Sequence, residues 1–136
     1  MAEFAFQDLS FEDKKDKVRV NFLRLFYFDI AKTDLKKISD FIVDKNKIIF
    51  KNINENRATR KFNFLLSEGF KNLKNKLNGK RTIYVHRNSG IPLIGSGAFG
   101  LVDRGTSLIE VKPITSCNID CIYCSVDESK RPIDFV

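Results

Sequence analysis

The sequence predicts an α+β chain in two parts: a mixed helix-and-strand layer over residues 1–90, then a segment over 91–136 in which a short strand feeds a cysteine loop. Three observations carry this. Apolar residues recur at helical spacing from Phe62 to Leu77, short apolar runs with strand character sit at 47–51 and 82–86, and the turn formers Gly90 and Pro92 separate these from a glycine-rich stretch and a cluster of cysteines.

Taken in order, Ser10 is a candidate helix cap, followed by charged residues and an apolar set at Val18, Phe22, Leu25 and Phe26, which gives a helix from about 11 to 30. Val18, Val20 and Phe22 also alternate, and Leu25 to Phe28 is continuous, so a strand stays open for its second half. Thr33 or Asp34 caps a second helix carrying Leu35, Ile38, Phe41 and Ile42. Lys47 to Lys51 reads as a short strand. Phe62, Leu66, Phe70, Leu73 and Leu77 are spaced by fours and threes, predicting a helix over 57–77 that Asn78 and Gly79 end. Thr82 to His86 follows as a strand, and Ser107 to Ile114, with Gly105 in front, as another.

Chemistry concentrates at one place. Cys117, Cys121 and Cys124 are the whole cysteine complement and stand at the spacing Cys-x3-Cys-x2-Cys, with Tyr123 before the last. Three thiolates on one short loop can each take a different iron of a 4Fe-4S cluster, thiolate being the usual protein ligand, and such a cluster then has one open iron. Structural zinc usually draws four ligands as two separated pairs; His86, the single histidine, stands 31 residues upstream and keeps a Cys3His set open. A bacterial ferredoxin run needs two-residue gaps and a fourth cysteine before proline, which this chain lacks. Three small buried hydrophobes are the plain alternative, and an odd count in one loop argues against a disulfide framework.

Cys117, Cys121, Tyr123 and Cys124 resemble the cluster loop of the radical S-adenosylmethionine superfamily, Cys-x3-Cys-x-aromatic-Cys. The run from Gly97 through Asp127 looks like an archaeal branch of it. The resemblance implies that the 107–114 strand is the first of a partial (β/α) barrel with the loop at its carboxyl end. It implies a 4Fe-4S cluster held by Cys117, Cys121 and Cys124, S-adenosylmethionine on the open iron with Tyr123 beside it, and reductive cleavage to a 5'-deoxyadenosyl radical. Such a core needs roughly 200 residues, whereas Cys124 lies 12 residues from the end of this sequence. The implied chain is thus the amino-terminal part of an enzyme, incomplete alone, with an electron donor and a second chain supplying further strands as partners.

Gly95 to Gly100 satisfies Gly-x-Gly-x-x-Gly, but a kinase catalytic loop is missing and no acidic residue stands about 20 positions on in a βαβ context. Glycines in a tight connection suffice for it. Asp103, Lys112, Asp127 and Glu128 are polar residues near the loop with no assigned role.

With 43% hydrophobic residues and 13 phenylalanines in 136, the chain can bury a core. No apolar run approaches the roughly 20 residues of a membrane span, no signal pattern opens the chain, and reduced thiols predict a cytoplasmic setting. From Arg57 to Arg87 nine Lys or Arg face one acid, Glu68, giving +8 and leaving −1 for the remainder of a +7 chain. Clustered cations of this kind suit RNA phosphates, or simply the solvated face of an amphipathic helix. A basic RNA-contacting module and a zinc-stabilised interaction domain therefore stand as alternatives to the cluster enzyme.

Overall fold

Eleven strands and two helices make up the described part of the chain, and the strands dominate. The computed structural model describes residues 1–92, 94, 99–115, 117, 119, 121–123 and 132–136. Strand β1 (Ala2–Ala5) opens the chain, and β2 (Leu9–Asp13), β3 (Lys17–Phe22) and β4 (Phe26–Ala31) follow as an antiparallel meander. Leu9 and Phe11, then Val18, Val20 and Phe22, then Phe26, Phe28 and Ile30 are buried at every second position. A period of two puts these side chains on one face of a strand but scatters them around a helix. The helix expected over 11–30 is therefore three strands. Its apparent helical set, Val18, Phe22 and Phe26, arises because every spacing of four is also a multiple of two.

Helix α1 (Lys32–Lys36) starts where the second helix was expected but lasts five residues. Leu35 is buried, and the chain leaves the helix at Ser39, whose hydroxyl donates to the Lys51 carbonyl. Phe41 and Ile42 thus belong to β5 (Phe41–Asp44), which forms a hairpin with β6 (Lys47–Phe50) through Lys45 and Asn46. Together β1, β6 and β5 make a three-stranded antiparallel sheet in that order. The strand expected at 47–51 is β6.

Helix α2 (Glu55–Phe70) is capped by Asn54, whose side chain accepts from Asn56 N at 3.0 Å. Ala58, Phe62, Leu66 and Gly69 form its buried stripe. It ends at Phe70, seven residues before the expected Leu77. Beyond it Leu73 is fully buried while Leu77 is exposed. Lys74 and Asn75 form β7 (Lys74–Asn75), pairing with Tyr27 and Phe26 of β4. Asparagine side chains offer the backbone an alternative to helix bonding: Leu77 N donates to Asn75 Oδ1 and Lys80 N to Asn78 Oδ1, both at 2.9 Å.

Strand β8 (Arg81–Ile83) covers the start of the expected 82–86 strand. β9 (Gly100–Asp103) and β10 (Ile109–Lys112) form an antiparallel hairpin, and β11 (Ile133–Phe135) lies parallel to β8. The larger sheet runs β11-β8-β7-β4-β3-β2. Parallel pairing between named strands is confined, among the described residues, to β11 and β8. The 107–114 expectation is met as a strand, β10, but its partner is an antiparallel neighbour. No partial (β/α) barrel forms in the described residues, and the expected architecture is corrected to a small, mainly β domain with two helices.

The core is aromatic. Phe62 of α2 is fully buried, with ring centroids 5.1 Å from Phe4, 5.3 Å from Phe50 and 6.4 Å from both Phe6 and Phe11. Phe70 touches Phe28 at 5.1 Å and Phe22 at 5.2 Å. Each buried side chain of this size contributes about 1.5–3 kcal/mol in transfer terms, so α2 is held to both sheets by its phenylalanines.

Candidate functional site

The cysteine loop joins β10 to β11. Thr115, buried at its base, makes two bonds to the returning strand: Thr115 N donates to the Phe135 carbonyl at 3.0 Å, and Phe135 N donates to Thr115 Oγ1 at 2.8 Å. The excursion between residues 115 and 135 is thereby closed at its neck. Phe99, just ahead of β9, packs on Phe135 at 5.9 Å between centroids.

Within the loop, Cys117 is exposed and Cys121 partly exposed, and both are free thiols. Ile119 N donates to Cys117 Sγ at 3.4 Å. Cys124, Asp120, Asp127 and Glu128 lie outside the described residues, as do Gly95 to Ala98 of the glycine motif. Tyr123 is 87% exposed, and Ile119 and Ile122 beside it are also exposed. Among the described residues no group of three His, Cys, Asp or Glu side chains could hold a metal ion.

Other residues raised by the sequence have ordinary surroundings. Asp103 Oδ1 accepts from Gly105 N at 2.8 Å in the hairpin turn. Lys112 pairs with Glu110 at 3.2 Å, and Glu110 also takes a two-pronged contact from Arg104 at 2.8 and 3.4 Å. Those hydrogen bonds, Arg104 first, hold the Glu110 carboxyl below the usual range. His86 is exposed and stacked near-parallel on Tyr84, 5.4 Å between centroids. Its Nδ1 accepts from Asn88 N at 3.3 Å.

Sequence reasoning missed the anchor of β11. Asp134 is fully buried, and its Oδ2 accepts from Asn78 Nδ2 at 2.8 Å and Asn75 Nδ2 at 3.4 Å. Its Oδ1 and the neighbouring Thr82 Oγ1 are buried with no protein partner among the described residues. Asn75 and Asn78 read in sequence as turn formers, and nothing in one chain marks an aspartate 56 residues from Asn78 as their acceptor.

Between the carboxyl end of α2 and β8 lies a cleft of about 640 Å³. Phe70, Lys71, Arg81, Thr82, Tyr84 and His86 line it, so part of the basic excess read from sequence converges on an aromatic surface. No helix among the described residues is long and apolar enough to cross a membrane.

No family model matches the chain, and no solved structure matches it. The chain is similar to an uncharacterized protein of Methanocaldococcus jannaschii, 51% identical over 59 residues. That stretch covers 43% of this chain and 13% of that protein, so the chain spans a small part of its relative's length. With no matching family model, antiparallel sheets in place of a partial barrel, and no metal-holding group among the described residues, the resemblance to the radical S-adenosylmethionine superfamily is not upheld.

Proposed function

We propose that the loop from Cys117 to Cys124 is a thiolate metal-binding segment that holds an iron-sulfur cluster of the 4Fe-4S type. The observation that carries this is the spacing of the chain's entire cysteine complement within eight residues. Free thiols at Cys117 and Cys121, both reachable from solvent, and the N–H donor from Ile119 to Cys117 Sγ support it. Hydrogen bonds to cluster sulfurs and solvent exposure tune the potential of such sites. When bound, the cluster would supply one-electron chemistry; Cys117, Cys121 and Cys124 would hold it, and the fold would contribute a closed loop base at Thr115 and Phe135.

Three protein ligands leave one iron for an external chelate, and S-adenosylmethionine, with its adjacent amino and carboxylate groups, is the cofactor proposed for it. A redox cluster requires an electron donor as partner. Reduced thiols and an oxygen-sensitive cluster together favour the cytoplasm as the working compartment.

Anaerobic reconstitution with iron and sulfide, followed by iron counting and EPR of the reduced protein, tests the reading. About four irons per chain is the expected result, with binding lost when Cys117, Cys121 and Cys124 are replaced by Ala. A changed EPR signal on adding S-adenosylmethionine would support the open iron. Failure to bind iron, or iron binding that survives the triple replacement, would overturn the assignment; a colourless protein with stoichiometric zinc would point to the zinc alternative.

A further inference from the structure

We propose that the cleft between α2 and β8 is a binding site for single-stranded nucleic acid, with one base stacked on Tyr84 and the adjoining phosphate held by Arg81. The site is separate from the cysteine loop and does not depend on a metal there.

Tyr84 carries the argument. It is 38% exposed, yet it is packed from behind: Phe22 meets it edge-on at 4.9 Å and Phe70 lies 6.3 Å away. These contacts fix its ring, and the exposed His86 is stacked on it at 5.4 Å, tilted 27°, so the exposed part of Tyr84 and the His86 ring together give a stacking surface at little entropic cost. Stacking on such rings is how proteins hold unpaired bases, since every base has a π-face.

Charge supplies the second half of the ligand. Arg81 lines the cleft and donates through Nε to the Lys71 carbonyl at 3.2 Å. That bond fixes the guanidinium by one edge and leaves its two terminal amino groups to donate elsewhere. No carboxylate pairs with Arg81 among the described residues. Lys71 also lines the cleft, but it is partnered by Glu68, the single acid of the 57–87 segment. Arg81 is therefore the stronger phosphate contact. A cleft lined by Arg81, Lys71 and aromatic rings, within a segment of net charge +8, complements a polyanion with exposed bases better than it complements a protein or an uncharged metabolite.

The test is fluorescence anisotropy of the full chain with a labelled single-stranded RNA of ten nucleotides, its DNA counterpart and the matching duplex, each at several salt concentrations. Single strands are expected to bind more tightly than the duplex, whose bases are already stacked. Tyr84→Leu preserves apolar packing on Phe22 and should weaken single-strand binding about tenfold, within the range of one lost stacked base, while Tyr84→Phe should stay close to wild type. Arg81→Gln should weaken binding and flatten the salt dependence by about 0.7 in log–log slope, one phosphate contact on a single strand. Equal binding of RNA and DNA supports stacking plus phosphate as the whole of recognition, and an RNA preference adds a contact to the 2'-hydroxyl. Duplex binding as tight as single-strand binding, or Tyr84→Leu indistinguishable from wild type while still folded by thermal melt, would overturn the proposal. So would a failure of any single strand to bind at low salt.

Discussion

Replacing Gly69 by Ala would set a Cβ 2.2 Å from Phe28 Cε2 and 2.3 Å from Phe28 Cδ2, with Phe28 Cζ at 3.1 Å. Real Cβ atoms do not approach so closely, and Phe28 has no room to retreat: it is 2% exposed and its ring lies against Phe70, 5.1 Å between centroids. Two effects oppose each other. Alanine favours the helix over glycine by about 1 kcal/mol, while overpacking a filled core costs about 1–3 kcal/mol and at times more. With two contacts far inside van der Waals distance, the cost belongs at the upper end, and the net loss is about 1–2 kcal/mol. For a urea m-value of about 2 kcal/mol/M this lowers the unfolding midpoint by about 0.5–1 M at unchanged m. Phe28→Leu in the Gly69→Ala background should recover part of that loss, because the two sites share one contact and their effects are then non-additive. A midpoint equal to or above wild type for Gly69→Ala would refute the close packing of α2 against β4.

Other perturbations follow from the same geometry. Asp29 accepts from Arg19 and Lys17; burial pushes its carboxyl up, and the two hydrogen-bonded cations more than reverse this, holding it below the ordinary range. A depressed carboxylate contributes stability above its unfolded value of about 3.9 and loses it as pH falls through the folded value, so Asp29→Asn should flatten the decline of the urea midpoint below about pH 4; an unchanged acid limb would show that the Asp29 cluster is not the cause. Asp134→Ala would leave the Asn78 amide without its buried acceptor and should cost about 2–3 kcal/mol, read as a lower urea midpoint. An unaltered midpoint would mean that β11 docks without its carboxylate.

How much could be read in advance differs between helix and strand. The 47–51 and 107–114 strands and the body of α2 were legible because each has one strong period and nothing competes with it. The stretch from about 11 to 30 suggests a helix, with a strand open for its second half, because residues four apart also satisfy a strand, and only pairing of Val20 with Phe11 on one side and Phe28 on the other decides between them. The end of α2 was missed for a similar reason: Leu73 and Leu77 continue the helical spacing, but Asn72, Asn75 and Asn78 give the backbone other partners. At the candidate site, the sequence supplies the cysteine spacing on which the metal-binding proposal rests, since ligand chemistry depends on residue type and separation. The loop's neck and the buried Asp134 were not legible, because both join positions far apart in sequence through polar residues that carry no periodic signal.

The neck at Thr115 and Phe135 also sets an order of events as the chain folds. β11 pairs with β8 across about 50 intervening residues, and closing a loop of that length costs about 3–4 kcal/mol in chain entropy. The five strands of the larger sheet up to β8 require no residue beyond 83, so they can form first, leaving the thiols on an open chain until β11 arrives. An ion bridging those thiols shortens the free excursion and lowers the entropy lost at closure. Loading the loop and docking the last strand would then be linked equilibria, each driving the other by the same free energy.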